Sequence, residues 1–120
     1  MKAVRKVKLD TYHCNVVFII TNDLNHHVNG IYKKLKSKES FNGEAEGILL
    51  TLDIDNYYVL FDVCYLSHNT IAHEIYHCVV KVTEDRDIVD EEAQAWLAGY
   101  LTEKMYDFVQ KKKFSIIKSK

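Results

Sequence analysis

A chain of 120 residues and 14.0 kDa allows one domain with one modest core. With 48% hydrophobic residues, 28% charged residues and no proline, it is neither a disordered chain nor a proline-rich one. A net charge of −1 excludes polyanion binding by bulk charge alone.

In chain order, the basic start (residues 1–9) reads as a mobile end. Cys14 to Ile20 is β-branched and aromatic and predicts a buried strand. Thr21 or Asn22 is placed to cap a helix over 22–37, where Leu24, His27, Val28, Ile31, Tyr32 and Leu35 recur at helical spacing. Ser37 to Gly43 is a polar loop. Glu46 to Asp53 and Tyr57 to Leu66 predict two strands joined by an Asp55-Asn56 turn, hence an antiparallel hairpin. Ser67, Asn69 and Thr70 are capping types before a helix from Ile71 to about Val82. A polar connection leads to Asp90, which caps a last helix of roughly 91–112. The order β-α-β-β-α-α predicts one α+β domain over 1–120. Its small antiparallel or mixed sheet carries three helices stacked on one face.

Charge and cysteine usage narrow the setting. All 17 acidic residues lie between Asp10 and Asp107, while nine of the 16 basic ones lie at the two ends (1–9 and 111–120). Residues 112–120 form the second basic and mobile end. Such ends suit docking to a protein partner or an assembly. No basic helix face interleaved with aromatics occurs, so nucleic acid is not the expected partner. Cys14, Cys64 and Cys78 are odd in number and lack CxxC spacing, which points to a reducing cytoplasm rather than a disulfide framework. The Val16–Ile20 run is short for a signal-peptide core, and no stretch approaches the ~20 apolar residues of a membrane span.

The chemistry-bearing motif is His73-Glu74-Ile75-Tyr76-His77. On a helix, histidines four apart project from one face, a spacing that suits two nitrogens about 2 Å from one Zn²⁺. Glu74 then stands beside the metal, where its carboxylate accepts a proton from bound water. A catalytic zinc needs a third protein ligand and one open position. The candidates are Glu91 and Glu92 on the last helix. Glu92 is preferred because it shares its face with Ala95, Trp96 and Gly99, where small residues allow close helix approach. Tyr57, Tyr58, Tyr65, Tyr76, Tyr100 and His68 are all candidates to stabilise an oxyanion. His68 also suits hydrogen bonding around the site. His26 and His27 make no two-ligand face, and His13 has no evident partner.

HEIYH, a short loop and DEEAQAWLAGYL together resemble the zincin metallopeptidases of the gluzincin type. The likeness is strongest to very small phage-encoded or regulatory zinc peptidases, and it covers about residues 67–105. It implies a minimal zincin with Zn²⁺ as cofactor. It also implies His73, His77 and Glu92 as ligands, Glu74 as general base, and peptide bound along an edge strand, 47–53 or 57–66. With 120 residues, no second lobe is expected to form the far wall of a cleft. The expected function is zinc-dependent hydrolysis of a peptide or protein substrate in the cytoplasm, in the host cytoplasm or a virion if phage-encoded. The alternative is a non-catalytic virion or assembly component that keeps a zincin fold and a structural metal site.

Overall fold

A computed structural model gives the fold and describes residues 1–41 and 43–118. The order is β1 (Lys2–Leu9), β2 (Cys14–Thr21), α1 (Leu24–Lys34), β3 (Gly47–Asp53), β4 (Asn56–Asp62), α2 (His68–Asp85) and α3 (Glu91–Lys111), with 3-10 turns at Asp10–Tyr12 and Val63–Tyr65. The four strands form one mixed sheet in the order β1-β2-β4-β3. β1 is antiparallel to β2, β2 is parallel to β4, and β3 is antiparallel to β4. The chain is thus α+β with a small mixed sheet and three helices. No helix among the described residues is long and apolar enough to cross a membrane.

β1 lies in a segment expected to be a mobile basic end. Its alternation explains the strand: Ala3, Val7 and Leu9 turn inward while Lys2, Val4, Lys6 and Lys8 turn to solvent. Arg5, on the inward side, reaches Asp107 of α3 at 3.2 Å. The other end is also tied down as far as it is described. Phe114 and Ile116 pack on the core, and Ile117 N–H donates to Leu66 O at 2.9 Å. Residues 119–120 lie outside the described residues.

The helices do not share one face. β2 joins β4 through α1, and a parallel pair needs such a crossover. Central strand β2 is apolar on both sides, which is why CNVVFII lacks alternation. Val17 and Ile19 pack with Leu50 and Leu60 beneath Leu24 and Val28 of α1. Val16, Phe18 and Ile20 pack with Tyr57, Val59 and Phe61 beneath α2 and α3 on the opposite face. The sheet is therefore the middle of three layers, because two apolar faces need two covers.

Capping sets the helix limits. Asp23, rather than Thr21 or Asn22, accepts from His26 N–H at the start of α1. Thr21 Oγ1 in turn accepts from Asp23 N–H. Ser67 caps α2 by accepting from Thr70 N–H at 3.1 Å, and Asp90 caps α3 by accepting from Glu92 N–H at 3.3 Å. All three helices close with the same left-handed turn, at Lys36, Asp87 and Lys113 (φ 58°, 53° and 60°). Each turn pairs the next residue's N–H with a carbonyl five residues back: Ser37 to Tyr32, Ile88 to Thr83 and Phe114 to Val109.

Candidate metal centre

α2 carries the HExxH motif across its middle. Ile71, Ile75, Cys78, Val79 and Val82 bury one stripe in the core, so residues on the opposite side face solvent. His73 and His77 lie on that outer side. Their Nε2 atoms are 3.1 Å apart and their ring planes are 79° apart. Two imidazoles on one tetrahedral zinc at about 2.1 Å would stand about 3.4 Å apart. The pair is thus a few tenths of an ångström from the separation that one zinc requires.

Glu74 lies one step round the helix, toward β3, and is 7% exposed where the His73 side chain is 63% exposed. Its Oε2 is 4.0 Å from His73 Nε2. Burial pushes its carboxyl above the ordinary value, while the nearby His73 and His77 pull the other way. A carboxylate with a raised pKa is a stronger base toward water than an exposed one.

β3 is an edge strand and runs beside this part of α2. A shallow groove of about 400 Å³ lies between them. Gly47, Ile48 and Thr51 form one wall, and Glu74, His77 and Val80 form the other. A chain of hydroxyls ties the two elements: Ser67 Oγ donates to Thr70 Oγ1 at 3.0 Å, and Thr70 Oγ1 donates to Glu46 Oε2 at 3.3 Å. Glu46 and its link to α2 carried no signal in the sequence. Gly47 did carry one, because a glycine inside a strand marks a close approach.

The last helix does not bring its glutamates to the pair. Tyr106 of α3 bonds His68 of α2 at 2.6 Å, and Asp107 bonds Arg5 of β1. These two contacts fix which side of α3 faces α2 and which faces β1. At 100° per residue, Glu91 and Glu92 flank Tyr106 by about 60° and about 40°, Glu91 on the side of Ala98 and Thr102. Glu92, the preferred third ligand, falls on the other side. It shares an outer groove with Ala95, Trp96, Gly99, Tyr100 and Glu103. The apolar character of that face came from Trp96, which is 74% exposed and does not mark the helix contact. On α3, Thr102 Oγ1 donates to Ala98 O at 2.7 Å. Among the described residues no three His, Cys, Asp or Glu side chains converge on one point. His73, His77 and Glu74 thus fit a zinc as two nitrogen ligands with a base beside them. A third protein ligand is not brought to them.

The oxyanion candidates separate cleanly. Tyr57 is buried, donates to Asp85 at 2.7 Å and accepts from Arg86 at 2.7 Å. Tyr58 packs under α1, Tyr100 lies on the outer groove of α3, and Tyr65 borders a larger cavity at the ends of β2 and β4. Tyr76 is 67% exposed with its ring 6.2 Å from His77. His26 and His27 stack edge to face on α1, beyond the sheet from the motif, and His13 sits in a left-handed turn before β2.

No protein-family model matches the chain, and no curated protein or solved structure matches it. The likeness to zincins rests on the motif and on the helix that follows it.

Proposed function

We propose that the chain is a zinc-dependent peptidase, built on His73, His77 and Glu74 beside the open edge of β3. The single observation that carries this reading is the facing Nε2 pair at 3.1 Å with a buried carboxylate next to it. His73 and His77 would hold the metal. Zinc, when bound, polarises a carbonyl and brings the pKa of its water toward ~7. Glu74 takes the proton of the attacking water on its carboxylate and returns it to the leaving amine. Its burial favours holding that proton between the two steps. The outer edge of β3 offers backbone groups to an extended peptide, and Ile48 and Thr51 line the groove it would occupy. Tyr76, whose ring lies beside His77, would donate to the oxyanion. The cytoplasm is the proposed compartment, in keeping with three free cysteines.

Zinc titration with cleavage of an extended-peptide library tests the reading. One zinc per chain is expected, lost in His73→Ala, with cleavage by the wild type. Protein that binds no zinc and cleaves no peptide overturns it. A second reading, a non-catalytic assembly component, is favoured by the position of Glu92 in the outer groove of α3. Glu92→Gln separates the two. A loss of zinc affinity means that α3 turns to complete a catalytic site, and unchanged affinity leaves the two-histidine site of this structure.

A further inference from the structure

Glu74 faces the first residue of β3, Gly47, which pairs with Phe61 of β4. A Cβ on Gly47 would lie 2.8 Å from Glu74 Cγ, well inside van der Waals contact. It would also lie 3.3 Å from Thr70 Cγ2 and 3.3 Å from Leu60 O. The position of a Cβ is set by the backbone, so the closest contact is relieved only if the Glu74 side chain turns about its Cα–Cβ bond or α2 moves away, and Leu60 O is itself backbone. None of the glycines has a positive φ among the described residues. Space, and not backbone conformation, is therefore what requires glycine here. A glycine in a strand weakens the strand, so its presence has to serve the close approach.

The same corner holds the tether from Thr70 to Glu46, the residue before Gly47. The tether draws the first turn of α2 onto the start of β3, and the bare backbone at Gly47 leaves room for Glu74 Cγ one turn later. We propose that Gly47 is the positioning residue for Glu74: it lets α2 lie against β3 so that the Glu74 carboxylate is held at the groove beside His73 and His77. Its functional meaning rests on the peptidase reading; its geometry does not.

The test is a thermal cycle of Gly47→Ala in two backgrounds, wild type and Glu74→Ala, which lacks Cγ. Gly47→Ala is expected to lower Tm by about 5 °C in the wild type and by less than half as much in Glu74→Ala. Equal losses in both backgrounds overturn the proposal. In the cleavage assay, Gly47→Ala should lower kcat at least tenfold with KM and zinc content unchanged. Unaltered kcat overturns it. Should Gly47→Ala not fold, the double variant decides: a folded double variant supports the proposal, and an unfolded one overturns it. A wild type without cleavage removes the peptidase reading alone, because the thermal cycle still decides whether Gly47 places Glu74.

Discussion

The two edges of the sheet are built on opposite plans. β1 carries Lys2, Arg5, Lys6 and Lys8 in eight residues, and its three lysines stand out along the strand. Edge lysines keep other strands from adding to a sheet, and Arg5 also fastens β1 to α3. β3 reads Gly-Ile-Leu-Leu-Thr-Leu-Asp, with no basic residue and with Leu52 40% exposed. It is the edge that borders Glu74 and His77. One edge is thus guarded by lysines and the other is apolar beside Glu74 and His77, the edge on which the proposed peptide would add.

The largest effect expected on this contrast is at the open edge. Glu74→Gln should lower peptide cleavage by about 10²- to 10⁴-fold while zinc content and Tm stay near wild type. A variant that cleaves normally would remove the functional half of the comparison.

Core burial beneath the edges gives the next contrast. Leu9 of β1 is 5% exposed, so Leu9→Ala should cost about 2–4 kcal/mol in urea unfolding. Leu52→Ala on β3 should stay within about 0.5 kcal/mol. Equal costs would show that β3 is as structural as β1.

Between the edges, the phenol of Tyr57 on β4 is pushed up to about 12, by burial first and by its bond to Asp85 second. Its ordinary value is 10.0, so the folded state favours the protonated phenol. That stability is fully present below pH 10 and is lost as pH rises toward 12. Tyr57→Phe should flatten the fall of Tm over this window, and an unchanged slope would assign the fall to other groups.

The smallest effect is expected at Arg5, whose partner Asp107 is 43% exposed in its side chain. Arg5→Ala should leave Tm almost unchanged and cleavage unaltered. A larger loss would make the ion pair, and not Val7 and Leu9, the anchor of β1.

Much of the fold was legible in residue pattern. The apolar run of β2, the β3-β4 hairpin, the Ser67 and Asp90 caps and the period of α2 and α3 are local signals, and they appear within a few residues of where the pattern put them. β1 was hidden because its lysines resemble a frayed end, and its alternation acquires meaning only once β2 lies beside it. The separation of α1 from the other helices was hidden as well, since a run apolar on both faces does not say which cover goes where.

The candidate site divides in the same way. His73, Glu74 and His77 share one helical turn and a half, so 3.6 residues per turn brings them together before any packing occurs. Glu92 belongs to another helix, and its face depends on how α3 rolls against α2 and β1. That roll goes with the burial of Leu97, Leu101, Met105 and Phe108 and with Tyr106 meeting His68 and Asp107 meeting Arg5, the last two joining residues 38 and 102 apart in the chain. Helical periodicity ranks the faces of α3 by polarity, but Trp96 made an outer face look like an inner one. Only tertiary packing assigns a face to a neighbour, because that assignment depends on the sum of contacts along the whole interface and not on any one residue.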